Sequence, residues 1–144
     1  MFVDTHCHLT MLNLEPYGGD LDAAIQQARD AGVSKMMGIS VDLDDHIALS
    51  EIAARHADVG YSVGVHPCED QAVMQRATVE TLVDLAQSDK VWAIGETGLD
   101  YFHSTEFVAE QKACFARHIQ ASKIVKKPVV VDTRSSKTDT IDII

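Results

Sequence analysis

Short, nearly continuous apolar runs alternate with amphipathic stretches along this chain, and that alternation restricts the fold more than any other feature. The runs are Met1 to Val3, Met36 to Ile39, Val59 to Val65, Val91 to Ile94 and Pro128 to Val131. They are too brief for helices and read as buried strands. Asp20 caps a helix with Leu21, Ala24, Ile25 and Ala28 on its apolar side, and Gly32 stops it. A second helix from about Asp44 carries Ala48, Leu49, Ile52 and Ala53 inward. Thr78 opens a third, with Val79, Leu82, Val83 and Ala86 as its stripe. A longer helix from about Glu106 to Val125 turns Val108, Phe115 and Ile119 to a sheet, and Thr138 to Ile144 reads as the opening of another. Such βα units require a parallel sheet covered by helices. The fold class is therefore α/β, and no Gly/Ser-rich linker divides the chain.

The polar residues fall at one recurring place. His6 and His8, His66, Glu96, and Asp132 with Arg134 each come just after the C-terminal end of an apolar run. In a parallel barrel or open sheet those ends share one rim, where residues far apart in sequence meet. If the extended backbone of Val3-Asp4-Thr5-His6-Cys7-His8 persists, its two imidazoles point to one side, with alpha-carbons roughly 6.6 Å apart. Each neutral ring offers a lone pair at about 2.0 to 2.1 Å from a zinc-like ion, so one ion fits between them. Asp4 is placed to accept behind the rings, and Cys7 faces away as a packed residue. A carboxylate such as Glu96 can bridge two ions, and its flanking glycines, Gly95 and Gly98, let the backbone turn. Asp100 is read as holding this loop. Tyr101 and Phe102 have faces on which a base can stack. His6, His8 and Glu96 are read as sharing one divalent cation.

The 144 residues fit one domain, and 46% hydrophobic content supplies a core. A net charge of -10 argues against a protein that grips nucleic acid with its whole surface. A nucleic-acid substrate would be held locally, by metal ions and a few cations. Three cysteines without regular spacing make no disulfide framework and fit a reducing cytosol. No apolar run approaches a membrane span and no signal pattern opens the chain, so a soluble, cytoplasmic protein is expected.

Five words carry a resemblance: Asp4-Thr5-His6-Cys7-His8-Leu9, Gly64-Val65-His66-Pro67, Gly95-Glu96-Thr97-Gly98-Leu99-Asp100-Tyr101, Gln111 to Phe115, and Lys127 to Val131 leading to Thr133-Arg134. In order and spacing the chain resembles the TatD family of metal-dependent hydrolases, related to amidohydrolases. The resemblance implies a TIM-type barrel, here incomplete with about five βα units, so that residues 1–144 form a single N-terminal part of it. It implies one or two divalent ions (Mg²⁺, Mn²⁺ or Zn²⁺) at the C-terminal rim and hydrolysis of DNA phosphodiester bonds through metal-activated water. Carried over by position, His6 and His8 ligate one ion, Glu96 bridges two and serves catalysis, and Arg134 faces a substrate phosphate and assists catalysis. His66, Asp100 and Tyr101 line the substrate side.

Two departures from the family qualify this. The fifth strand of family members ends in a metal-binding histidine; here that position is Asp132, a carboxylate suited to hard ions such as Mg²⁺ or Mn²⁺. A barrel of this kind takes about 250 residues, and the strands that give family members another histidine and a late aspartate are not in this sequence. Five units leave an open edge, which predicts poor stability as a monomer or self-association through that edge. Two alternatives to a DNA hydrolase therefore stand: a non-catalytic half-barrel that binds metal or a partner, and an amidohydrolase-like enzyme acting on a small ester or amide.

Overall fold

The computed structural model describes residues 1–144. Strands β1 (Phe2–Cys7), β2 (Val33–Gly38), β3 (Val59–Val63), β4 (Val91–Asp100) and β5 (Val129–Arg134) form one parallel sheet in the order β1-β2-β3-β4-β5. The connections carry helices α1 (Leu21–Asp30), α2 (Asp45–Arg55), α3 (Gln71–Arg76), α4 (Val79–Leu85) and α5 (Val108–Val125), and α6 (Lys137–Ile143) follows β5. Strand order equal to chain order is what successive βα units produce, so the predicted α/β architecture is the one observed.

Local chemistry starts the helices where expected. Asp20 accepts the Asp22 backbone N–H at 2.9 Å, and the Thr78 hydroxyl accepts that of Thr81 at 3.1 Å. The core lies between sheet and helices. Met36, Val59, Tyr61, Val63 and Ile94 pack there with Ile25, Leu49, Ile52, Leu82 and Cys114, each fully buried aliphatic side chain contributing about 1.5 to 3 kcal/mol.

Three expectations need correction, and one helix was not expected. The outer strands are not buried: Phe2 and Val3 are 66% and 56% exposed and Val131 is 37% exposed, because β1 and β5 each pair on one side only. β4 does not stop with the apolar run at Ile94 but continues to Asp100, with Thr97 opposite Val131 and Asp100 opposite Arg134. Ladder hydrogen bonds are made by the backbone, so β5 holds the polar stretch in register regardless of its side chains. Helix α3 gave no sequence signal, since six residues are too few to show a period. Its C-terminal end is held by Arg117, which donates to the carbonyls of Met74 and Ala77 at 2.9 and 2.8 Å. Finally, Ala48 is exposed, and Val108 and Ile119 are only partly buried; the inner face of α5 is Gln111, Cys114, Phe115, His118 and Ala121.

His118 is tolerated in the core because both ring nitrogens are used. Nε2 accepts the Val65 N–H at 3.0 Å and Nδ1 donates to the Cys114 carbonyl at 2.8 Å, which defines a neutral ring. Burial pushes its pKa down to about 4. The folded value lies below the ordinary one, so this contribution to stability is complete above about pH 6.5 and is lost as the pH falls toward 4. Denaturant melts at pH 7 and pH 4.5 are expected to differ by about 2 kcal/mol from this residue. Equal stabilities at the two pH values would contradict it.

Candidate metal centre

β1 carries His6 and presents His8 one residue past its end. The two rings meet edge to face, with centroids 5.1 Å apart. His6 Nε2 lies 3.5 Å from Glu96 Oε1 and His8 Nε2 lies 3.7 Å from Glu96 Oε2, so each ring faces its own carboxylate oxygen. Three strand spacings separate β1 from β4, about 14 Å in a flat sheet. Such contacts require the sheet to curl, with its strand ends converging on one side. Cys7 lies on the opposite face, where its thiol donates to the Met37 carbonyl at 3.2 Å and burial pushes its pKa up to about 12. Asp4 does not stand behind the rings as expected: it accepts the backbone N–H of His6 at 3.0 Å, and His8 Nδ1 has no protein partner.

Glu96 is held by its backbone. Its N–H donates to the Ser40 carbonyl at 3.0 Å, the Ser40 N–H donates to the Ser62 hydroxyl, and the Ser40 hydroxyl donates to the Gly64 carbonyl. Gly64 permits this close packing, since a Cβ there would sit 2.5 Å from the Gly95 backbone. The Glu96 side chain is buried at the floor of the cleft.

A second group shares Glu96. His66 Nε2 lies 3.6 Å from Asp132 Oδ2, and donor atoms of His66, Asp132 and Glu96 all lie within 4.8 Å of one another. Asp132 Oδ2 is buried and has no hydrogen-bond partner. The Cys68 backbone N–H donates to His66 Nδ1 at 3.1 Å. In the neutral ring the proton therefore sits on Nε2, which faces the cleft as a donor rather than as a lone pair. These residues and Arg134 line one cleft of about 580 Å³. Sequence reasoning missed Glu69, which also lines it; burial pushes its carboxyl up, and Asp42 adds to this. The available signal was its position three residues past His66, in the same β-to-α connection.

Two expected substrate-side residues are elsewhere. Asp100 Oδ1 accepts the backbone N–H groups of Phe102 and His103 at 3.0 and 2.9 Å, and the residue does not line the cleft. Burial works to raise its pKa, but hydrogen bonds from His103 and Cys68 outweigh it and hold the carboxyl down at about 2. Tyr101 donates to Asp139 Oδ2 at 2.7 Å, tying the turn after β4 to α6, and lines a separate cleft with Thr133 and Ser136. Neither side chain reaches the histidine cluster, because each is claimed by partners from other elements.

The donors present fit divalent ions. Imidazoles and carboxylates converge, and two buried polar atoms among them, His8 Nδ1 and Asp132 Oδ2, lack any protein partner. Such a mix suits zinc, manganese or magnesium. The sequence model for TatD related DNase matches residues 3–144. The chain belongs to this family. It is 34% identical over 142 residues to the uncharacterized metal-dependent hydrolase YcfH of Escherichia coli K12, covering 99% of this chain and 52% of that protein. It is 28% identical over 125 residues to the 3'-5' ssDNA/RNA exonuclease TatD of Shigella flexneri, covering 87% and 48%. A crystal structure of a TatD family hydrolase from Entamoeba histolytica superposes with a TM-score of 0.78 at 26% identity, covering 99% of this chain and 52% of that one. The TatD homologue YjjV from Escherichia coli K12 shares the fold with a TM-score of 0.80 at 24% identity, covering 96% and 53%. This TatD-family chain thus spans about half the length of the relatives it matches, and its open sheet is a half-barrel of their TIM-type fold.

Proposed function

We propose that this chain carries a divalent-metal hydrolase site of the TatD type and hydrolyses phosphodiester bonds of DNA or nucleotides in the cytoplasm. The observation that carries the reading is the Glu96 carboxylate, which gives one oxygen to each of His6 and His8 while His66 and Asp132 close on it from the other side. His6, His8 and Glu96 would hold a first ion, with Glu96 and Asp132 available to a second. When bound, such ions supply Lewis acidity toward water and a phosphate oxygen. The protein's own groups do the rest. His66 holds its proton at Nε2, where it can donate to a phosphate oxygen entering the cleft. Arg134 offers a planar donor fork suited to phosphate. Against three lining carboxylates, Glu69, Glu96 and Asp132, Arg134 is the single arginine or lysine in the cleft lining. An anionic substrate would be repelled there unless cations accompany it, consistent with a net charge of -10. The name of the Shigella flexneri relative favours a single-stranded DNA or RNA end as the substrate.

The test is release of nucleotides from single-stranded DNA with Mg²⁺, Mn²⁺ or Zn²⁺, compared for the native chain, His6→Ala and Asp132→His. Metal-stimulated release that disappears in His6→Ala and is maintained or raised in Asp132→His supports the reading. Release indifferent to chelator and to His6→Ala overturns it. A second reading is favoured by the unpaired outer edges of β1 and β5 with their exposed Phe2, Val3 and Val131: a non-catalytic half-barrel that binds metal and self-associates through those edges. Ion binding without turnover, in a species larger than a monomer by light scattering, would select it.

A further inference from the structure

Outside the cleft, a cysteine, an aspartate and a histidine converge at the far end of β4. Cys68 Sγ lies 3.3 Å from Asp100 Oδ2, and His103 Nδ1 lies 2.7 Å from the same oxygen. All three ligand atoms lie within 4.8 Å of one another. The three come from different places: the connection after β3, the last residue of β4, and the turn beyond it. Asp100 is 1% exposed and rigidly placed. Its Oδ1 is occupied by two backbone N–H groups, and its own N–H and carbonyl are clamped by the Gln111 side chain at 2.9 and 3.2 Å. Oδ2 therefore points at the thiol and the ring. The His103 side chain is 52% exposed, which leaves a route from solvent.

We propose that Cys68, Asp100 and His103 form a second cation site, selective for thiophilic ions such as Zn²⁺ and separate from the one built on Glu96. Sulfur, imidazole nitrogen and one carboxylate oxygen are three ligands of a tetrahedral zinc-type set, with water completing the fourth position. On binding, the thiol proton passes to solvent and the His103 proton leaves Nδ1, so that Nε2 carries the ring proton in the solvent-facing position. Without a cation, burial and the facing Asp100 carboxylate push the Cys68 thiol up to about 11, so the free thiol stays protonated. The proposal does not depend on the hydrolase reading, and its readout is sulfur-specific, which the His6, His8 and Glu96 group cannot produce.

Titration of the whole chain with Co²⁺ is expected to give thiolate-to-cobalt charge-transfer absorption in the near ultraviolet. That band persists in His6→Ala, is lost in Cys68→Ser and is weakened in His103→Ala. No band in the native chain, or an undiminished one in Cys68→Ser, overturns the proposal. A measurement on the unmutated protein guards against variants that fold poorly. Zn²⁺ is expected to slow alkylation of Cys68 by iodoacetamide, followed by mass spectrometry, and equal rates with and without Zn²⁺ would refute the site.

Discussion

Replacing Glu96 with Ala is expected to weaken divalent-ion binding to the cleft by at least on the order of 100-fold and to lower any metal-stimulated hydrolysis with it. Glu96 is the one donor common to both groups in the cleft, His6 with His8 and His66 with Asp132. Its backbone position is fixed through Ser40 and the Gly64 approach, which holds the carboxylate where the two groups meet. Losing even a supporting partner of a ligand costs roughly 10- to 100-fold in metal affinity, so losing the shared ligand is expected to cost at least on the order of 100-fold. Glu96→Gln separates charge from shape, keeping the side-chain volume while removing the negative charge that would offset an ion. Both variants should bind Mn²⁺ far more weakly by calorimetry while keeping the native far-ultraviolet circular dichroism. Undiminished binding in both would remove the metal centre from this cleft.

Gly98→Ala is expected to be the most damaging single-methyl addition for the fold. A Cβ at Gly98 would lie 1.9 Å from the Asp132 carbonyl oxygen, and its φ of +146° is one that side-chain-bearing residues rarely adopt. Gly98 stands opposite Asp132 in the β4–β5 ladder. The clash is with backbone, so relief requires the strands to separate where Asp132 enters the cleft. A cost of about 4 kcal/mol or more is expected, the range reserved for overpacking combined with backbone strain. With a urea slope of about 1 to 3 kcal/mol per molar, the unfolding midpoint should fall by more than about 1 M. Asp132 should also withdraw from His66, weakening ion binding on that side. A midpoint within experimental error of the native chain would show that the β4–β5 ladder is looser than this geometry requires.

Much of this arrangement was legible in the residues. Apolar runs and amphipathic stretches separated into strands and helices because each obeys its own period, and polar residues just past the runs marked the rim. His6, His8, His66, Glu96, Asp132 and Arg134 all reach one cleft. Less legible was whatever depends on a partner from elsewhere. The stretch from Gly95 to Asp100 has the composition of a loop, yet β5 holds it as strand through backbone bonds. Asp100 and Tyr101 sit in a word shared with Glu96, but their side chains are drawn away by His103, Cys68 and Asp139. Gln111 and His118 carry no apolar signal, and they are buried because Asp100, Val65 and Cys114 satisfy them.

The amino-acid order alone decided the succession of βα units and the donor types delivered to the strand ends. Both are local properties, set by side-chain periodicity over a few residues and by where an apolar run stops. Only the tertiary structure decided that β1 and β4, about 14 Å apart in a flat parallel sheet, would curl until two imidazoles met one carboxylate at 3.5 and 3.7 Å. It also decided which nitrogen of His66 carries the proton, through a backbone N–H at Cys68. Curvature and tautomer are settled by close packing and hydrogen bonds between distant segments, and no local pattern in the chain encodes them.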